Sequence, residues 1–353
     1  KSFVTNRIIK KKPLTYAAAN SPNQLLCIKN LNVVFPSHNG NIFAVRNVSF
    51  NIQKGEVLGI VGESGAGKST IGNAIINIIE PPGKITNGEI IFQNLDILRL
   101  SQIQVRNLRG KKIGIIFQDP LSALNPLMTI GNQLIETIIK LDNTKFATAK
   151  KKAVRLLNSV GIEDAKTRFN SYPHQFSGGM RQRVVIALSL AGDPELIIAD
   201  EPTTALDVSI QSQILDLIKK LCVSRNIGVI LVTHDIGAMS KIADNIAVMY
   251  NGEIVEIGNK KQILSAPRHK YTKSLISAVP RADRKERRFL SIDYIENSKR
   301  TYKRINLKNH WLGNTPNAHT KGMAISIQNL NKWYDIDNAF FSINRQRLHA
   351  VNN

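Results

Sequence analysis

Nine consecutive residues near the start of the chain have types and a spacing that suit a polyanionic ligand. They are Gly62, Glu63, Ser64, Gly65, Ala66, Gly67, Lys68, Ser69 and Thr70, and the first eight read G-x-x-x-x-G-K-S. The glycines let successive backbone N–H groups point at one anion, and a helix that begins at about Lys68 adds its positive end. Lys68 is expected to reach the β- and γ-phosphates of a nucleotide, and the Ser69 hydroxyl to bind Mg²⁺. We therefore predict a site for a nucleoside triphosphate and Mg²⁺ in this loop.

Two carboxylates stand at the point where a buried strand would end. Asp200 and Glu201 directly follow the apolar run Leu196–Ala199. In a parallel sheet the carboxyl ends of the strands meet at the edge where a phosphate loop lies. Asp200 is expected to hold Mg²⁺ through water, and Glu201 to polarise the attacking water. The alternative, an Asp-Glu pair at a surface strand end, is weakened by the presence of the phosphate loop.

Two more polar residues follow apolar runs in the same way. His234 comes directly after 228–233, and Gln118 after 113–117. The same edge argument places His234 beside the γ-phosphate and Gln118 within reach of both Mg²⁺ and the attacking water. A structural histidine and an exposed glutamine are the alternatives.

Ser177, Gly178 and Gly179 form a second element of phosphate-binding type. They precede a predicted helix over 180–190, so their N–H groups lie at a helix N-terminus. A plain serine helix cap is the alternative. One chain should not need two phosphate cradles for one nucleotide, unless the second serves a nucleotide held by another copy.

Apolar runs and helical patterns alternate along the chain and must position these groups. Buried strands are predicted at 57–61, 113–117, 196–199 and 228–233, and helices at about 68–79, 153–160, 180–190 and 210–221. Asn251-Gly252 is a preferred turn for a hairpin between 246–250 and 253–257. This alternation predicts an α/β fold with a parallel core sheet. A helical insertion at about 119–191 interrupts it.

Composition sets outer limits on the chain. It has 353 residues, 42% of them hydrophobic, and a formal net charge of +22. Basic residues concentrate at 10–12 and 281–308, which favours solvated linkers over contact with an anionic membrane surface or nucleic acid. No stretch approaches the roughly 20 apolar residues of a membrane span. Cys27 and Cys222 are the only cysteines and form no Cys-x-x-C, which fits a reducing compartment.

The end of the chain repeats part of its beginning. The segment 28–32 is echoed by 327–331, the aromatic Phe35 by Tyr334, and 44–47 by 350–353. Two echoes in the same order predict that 323–353 is the truncated start of a second domain of the same kind. Its first strand is expected to find no sheet to join and to be poorly ordered. The same reading treats 1–24 as a basic disordered lead-in and 266–322 as a C-terminal extension and basic linker.

Taken in order, these segments resemble the ATP-binding domain of ABC transporters over about residues 25–280. Gln118 matches the glutamine loop, 176–180 the signature, 205–207 with Asp207 the loop after the acidic strand, and His234 the switch histidine. Phe35 matches the aromatic that stacks on adenine. The common signature is L-S-G-G-Q, and this chain keeps the Ser-Gly-Gly centre while Phe176 and Met180 stand at the ends.

Several segments look like those of the oligopeptide/dipeptide importer branch. They are 117–120, 124–126, 175–183 and the run His269-Lys270-Tyr271-Thr272. Many members of that branch carry a C-terminal cysteine motif for an iron–sulfur cluster. This chain has no cysteine after Cys222, so no such cluster is expected. The repeat is similar to the fused tandem ATPases of peptide-type importers, of which this chain would be the first half.

The resemblance implies a P-loop NTPase (RecA-like) core at 25–265, with an antiparallel β subdomain and an α-helical insertion subdomain. It implies that two such domains sandwich two ATP molecules head to tail. Ser177, Gly178 and Gly179 of one domain would cap the γ-phosphate that Lys68 of the other holds, so hydrolysis would need a second domain, fused or separate.

The implied partners are transmembrane permease subunits, docked near 118–126, and indirectly a solute-binding receptor. Nucleic acid is not expected as a partner. The implied location is peripheral, on the cytoplasmic face of the plasma (inner) membrane.

Two other classes remain as hypotheses. A non-transport ABC protein that acts on ribosomes or nucleic acid is favoured only by the basic charge. A P-loop kinase or motor leaves the Ser-Gly-Gly element unexplained. The leading expectation is the ATP-hydrolysing subunit of an importer for peptides or similar small solutes.

Overall fold

The structure is a computed structural model that describes residues 23–37, 40–204, 206–277, 327–335 and 347–352. Nearly all of the predicted lead-in and the linker after Ser277 lie outside the described residues. The chain divides into a large unit that ends at Tyr294 and a small unit from Ile295 to Asn353.

The large unit holds ten strands and eleven helices in its described residues. The strands are β1 Gln24–Ser37, β2 Gly40–Gln53, β3 Val57–Val61, β4 Lys84–Phe92, β5 Leu95–Asp96, β6 Ile113–Ile116, β7 Leu196–Asp200, β8 Gly228–Thr233, β9 Asn245–Tyr250 and β10 Glu253–Asn259. The helices are α1 Lys68–Ile75, α2 Gln102–Leu108, α3 Pro120–Ala123, α4 Ile130–Asp142, α5 Phe146–Ser159, α6 Ala165–Arg168, α7 Gly178–Ser189, α8 Val208–Arg225, α9 Ile236–Ile242, α10 Lys260–Ser265 and α11 Lys270–Ser277. Short 3₁₀ turns occupy Ile97–Arg99 and Pro173–Gln175.

The central sheet has the strand order β10-β9-β3-β8-β7-β6. All neighbours are parallel except β10, which pairs antiparallel with β9. Strands β3 and β8 are buried along their whole length, as their continuous apolar runs predict. The hairpin turn also forms as predicted, with Asn251 at φ 47° and Gly252 at φ 84°. The predicted α/β fold with a parallel core is confirmed.

An antiparallel sheet of order β2-β1-β4-β5 packs beside this core. The apolar sides of β1 and β2, including Leu26, Val48 and Ile52, join one buried cluster with Leu58 and Ile60 of β3. The antiparallel sheet therefore packs against one side of β3, the strand that leads into the phosphate loop. A second cluster joins the other side of the core to the helices of the insertion.

The helical insertion spans α3 to α7, between the end of β6 and the start of β7, as predicted. Several helix bounds differ from the expectation. Helices α5, Phe146–Ser159, and α8, Val208–Arg225, are longer than the apolar patterns at 153–160 and 210–221 predict. Helix α7 begins at Gly178 rather than Met180, because Ser177 caps it. Helix α1 ends at Ile75 rather than Ile79, because Asn77 adopts a left-handed backbone with φ 53° that a helix cannot continue through.

The small unit contains an antiparallel hairpin of β11, Asn331–Asp335, and β12, Arg347–Asn352. The prediction that the echoed strand would find no sheet to join was wrong. It pairs with the second echo, so the repeat includes both strands of the first hairpin of the chain.

The two hairpins share one register. Val33 pairs with Val45 and Val34 with Phe43 in the large unit, while Lys332 pairs with Val351 and Trp333 with His349 in the small unit. Both ladders shift register at this same step. Asn30 and Asn329, at equivalent places, both have a left-handed backbone, with φ 48° and 55°.

Candidate active site

The glycine-rich loop lies between β3 and α1, where close backbone approaches leave no room for side chains. A Cβ at Gly62 would collide with the Met249 carbonyl oxygen, and one at Gly67 with the Ala44 carbonyl oxygen. Gly67 also has φ 99°, which disfavours any other residue. The loop is thus seated between β2 and β9 by contacts that only glycine permits.

Lys68 starts α1 and turns back along the loop. Its side chain is only 5% exposed. The Nζ atom donates to the carbonyl oxygens of Gly62 at 2.9 Å and Glu63 at 2.8 Å. The ammonium therefore lies inside the curve of the loop, where the sequence predicts that phosphate binds.

The end of β7 meets the start of α1. The Ser69 hydroxyl donates to Oδ1 of Asp200 at 3.0 Å. These are two of the three residues predicted to hold Mg²⁺, the third being Gln118, and oxygen ligands of this kind suit that ion. Among the described residues no group of three or more His, Cys, Asp or Glu could hold a metal.

Two more of the predicted side chains, Gln118 and His234, contact the carboxylate of Glu201. Gln118 Nε2 donates to Oε2 at 3.1 Å, and His234 Nδ1 lies 3.1 Å from Oε1. Thr204 also donates to Oε2, at 2.9 Å. The strand order explains this convergence, because β6, β7 and β8 are neighbours and end at the same edge. Glu201 has φ 45°, so it turns sharply out of β7.

The charged groups at this edge shift one another. Burial lowers the pKa of the Lys68 ammonium, although the nearby Glu201, Asp200 and Glu63 raise it. Burial, with the charge of Glu201, raises the pKa of Asp200 despite the hydrogen bond from Ser69. Burial also acts to raise the pKa of Glu201, but the hydrogen bonds from His234 and Thr204 outweigh it and hold that pKa below its usual value. Glu201 is consequently ionised at neutral pH.

Ser177 stands at the start of α7. Its hydroxyl oxygen accepts a hydrogen bond from the Met180 N–H at 3.3 Å, so the serine caps the helix. Gly178 and Gly179 form the first turn, and a Cβ at Gly179 would lie 2.6 Å from Ile210 of α8. The amides of this first turn lie at the positive end of a twelve-residue helix.

Phe35 and Asp207, which were also predicted to contact the nucleotide, are not among the residues bonded to Glu201 or Asp200. Phe35 is half-buried on β1, and its ring covers Gly83. Asp207 is exposed and directly precedes α8. Ala205, in the same loop, lies outside the described residues.

Sequence reasoning missed two residues that touch this machinery. Thr204 bonds to Glu201, and its only signal is its position three residues further along. Tyr271 accepts a hydrogen bond from the Glu63 N–H at 3.1 Å. The motif that contains Tyr271 was recognised as a family likeness, but nothing in the sequence connects it to the phosphate loop.

Comparison with protein families gives two matches along the chain. The family described as ABC transporter matches residues 45–204. The family described as oligopeptide/dipeptide transporter, C-terminal region, matches residues 255–306. Among the described residues no helix combines the length and apolarity that a membrane span requires.

Curated relatives agree with these matches. The dipeptide transport ATP-binding protein DppD of Bacillus subtilis (strain 168) is 48% identical over 261 residues, which cover 74% of this chain and 78% of that protein. The oligopeptide transport ATP-binding protein OppD of the same organism is 50% identical over 258 residues, covering 73% and 72%. The glutathione import ATP-binding protein GsiA of Escherichia coli (strain K12) is 46% identical over 262 residues, covering 72% of this chain and 42% of that protein.

A solved structure is similar as well. A dimeric ATP-binding cassette in a post-hydrolysis state, bound to ADP and Pi, matches with a TM-score of 0.60 and 32% identity. The match covers 67% of this chain and 99% of that one.

Proposed function

We propose, from the premise that the chain belongs to the ABC transporter family and to its oligopeptide/dipeptide branch, that its ATP hydrolysis powers the import of peptides or similar small solutes. The chain is an ATPase of that family. The observation that supports hydrolysis is the convergence of Lys68, Asp200 and Glu201 at one edge of the central sheet, with Ser69 bonded to Asp200 at 3.0 Å. The likeness to dipeptide and oligopeptide transport ATP-binding proteins supports the import of peptides.

The residues present fit a nucleoside triphosphate. The amides of 62–70 and the Lys68 ammonium would hold the phosphates, because Lys68 Nζ already lies against the loop carbonyls of Gly62 and Glu63. Phe35 is proposed to stack on the adenine. Ser69, Asp200 and Gln118 would hold Mg²⁺, which when bound offsets the negative charge of the phosphates.

Glu201 is proposed as the general base. Its Oε1 and Oε2 atoms are oriented by His234, Gln118 and Thr204, and its lowered pKa keeps it ready to accept a proton from water. The neighbouring Asp200 faces Ser69 instead, so the two carboxylates have separate tasks.

The site is proposed to be completed by a second ATP-binding domain. Ser177, Gly178 and Gly179 of one domain would cap the phosphates held by Lys68 of the other, with Asp207 near the junction. The transmembrane permease subunits are proposed to dock on the helical insertion near 118–126, and a solute-binding receptor to deliver the solute to them. This arrangement would place the chain peripherally on the cytoplasmic face of the membrane.

The small unit supports a tandem arrangement. The hairpin β11–β12 repeats the register, the register shift and the left-handed asparagine of β1–β2. We infer that 323–353 begins a second ATP-binding domain of the same kind, so that the two domains of the sandwich would come from one polypeptide.

The test introduces Glu201→Gln into the chain, co-purifies the variant with its permease and reconstitutes the complex in the membrane of sealed vesicles. The variant should bind ATP as the wild type does, lose roughly 10²–10⁴-fold of hydrolysis, and fail to import labelled dipeptide. The matched control is Glu253→Gln, an exposed carboxylate on β10, which should hydrolyse and transport normally. Wild-type turnover by Glu201→Gln would remove this residue from its proposed role. Hydrolysis without import of any peptide would refute the transport assignment.

A further inference from the structure

We propose that Tyr271 is a positioning residue for the phosphate loop, through which the C-terminal extension sets the affinity for nucleotide. The inference rests on the proposed role of the loop in binding phosphate. It assigns a task to the His269–Thr272 motif, which the proposed function leaves unused.

The contact acts on one peptide group. The Glu63 N–H donates to the Tyr271 hydroxyl oxygen at 3.1 Å, and the Gly62 carbonyl of the same peptide accepts from Lys68 Nζ at 2.9 Å. A peptide unit is planar, so fixing both its N–H and its C=O fixes the direction of the whole plane. That plane is the first of the loop, so the two contacts fix the direction in which the loop leaves β3.

Tyr271 is itself rigidly held. It is fully buried on α11, and its ring centroid lies 4.4 Å from that of Tyr250 at the end of β9. The turn before α11 is anchored by the buried Glu256 carboxylate, which accepts the N–H groups of Arg268 at 2.8 Å and His269 at 2.9 Å. The hydroxyl therefore presents a fixed acceptor to the loop, across 208 residues of sequence.

The phenol of Tyr271 is suited to accept the same hydrogen bond at every physiological pH. Burial raises the pKa of Tyr271 above its ordinary value. The hydroxyl is consequently neutral throughout the physiological range, and its acceptor capacity does not change with pH there. Ring packing alone would be served equally by phenylalanine, so the hydroxyl is the part to test.

The first experiment compares Tyr271→Phe with wild type in the full chain, by titration with Mg-ATP and Mg-ADP. The lost hydrogen bond should weaken both affinities by about 2- to 10-fold, the range that a single neutral hydrogen bond supports. The number of binding sites per chain should stay unchanged. A variant that only loses packing would show fewer competent sites at unaltered affinity, and that result would overturn the proposal.

Ser277→Ala is the matched control. It also removes one hydroxyl from α11, but within the described part of the chain this hydroxyl bonds only to the Ser274 carbonyl of its own helix, at 2.8 Å. Its nucleotide affinity should equal that of wild type. If wild type itself failed to bind nucleotide, the proposed function would fall, whereas wild-type binding with unchanged Tyr271→Phe affinity would refute only the present inference.

A second variant tests whether Glu256 affects nucleotide affinity by holding Tyr271 in place. Glu256→Gln weakens the acceptor that fixes the turn, so it should reduce affinity less than Tyr271→Phe does. Because it would act through Tyr271, adding it to Tyr271→Phe should cost no further affinity. Losses that simply add would show that Glu256 does not act through the tyrosine.

Discussion

Asp200 and Glu201 are adjacent in sequence and yet have opposite pKa shifts. Burial and the charge of its neighbour raise the pKa of Asp200, whereas hydrogen bonds from His234 and Thr204 lower that of Glu201. The difference comes from the sharp turn at Glu201, which sends the two side chains to different partners. The end of β7 thus supplies two different carboxylates. A cation would stabilise the ionised form of Asp200, whereas Glu201 already accepts hydrogen bonds that stabilise its ionised form.

The raised pKa of Asp200 predicts a dependence of stability on pH. The ionised form is disfavoured by folding, so its contribution is favourable below the unfolded pKa and is lost as pH rises through the folded value. Asp200→Asn should therefore raise the unfolding temperature of protein without nucleotide or Mg²⁺ at pH 7, by about 1–4 °C. The gain should shrink as pH falls towards 4, in thermal scans followed by circular dichroism. An equal gain at both pH values would contradict the assignment to charge.

At the scale of elements, the helical insertion is packed tightly enough for one methyl group to matter. Gly131 is in the first turn of α4, and a Cβ there would collide with the ring of Phe169. Gly131→Ala should therefore destabilise the chain by about 1–3 kcal/mol, although alanine favours helix by roughly 1 kcal/mol. Urea unfolding measures the change. Adding Phe169→Leu should recover part of the loss, and a Gly131→Ala variant as stable as wild type would show that the ring has room to move.

Sequence patterns that are local to a single strand, helix or turn predicted much of this fold. The continuous apolar runs of β3 and β8 and the Asn251-Gly252 turn were read correctly because each depends on local chemistry. The end of α1 was placed too late, because the left-handed Asn77 has no strong signal ahead of the prolines. The contact between Tyr271 and Glu63 was not predictable, since it depends on how distant elements pack.

At the scale of the molecule, the proposed two-domain site predicts complementation between defective copies of this 353-residue chain, which has one phosphate loop and one Ser177-Gly178-Gly179 element and so forms a sandwich only by pairing with another copy. Lys68→Ala would spoil the phosphate loop and leave Ser177 intact, while Ser177→Arg would do the reverse. Each variant alone should be nearly inactive. A mixture should regain hydrolysis, because a mixed pair contains one site with both intact faces. ATPase assays of the two variants, separately and mixed, measure this. A mixture no more active than its parts would contradict the shared site.

The strand that carries the phosphate loop sits between β8 and β9, which come much later in the chain. While the ribosome is still adding residues, Val57–Val61 emerges as an apolar segment whose hydrogen-bonding neighbours have not yet been made. It stays unpaired until Gly228–Thr233 and Asn245–Tyr250 leave the exit tunnel, and such exposed strands invite aggregation. From the order of the central sheet we therefore expect the nascent chain to need protection from aggregation until translation has passed β9.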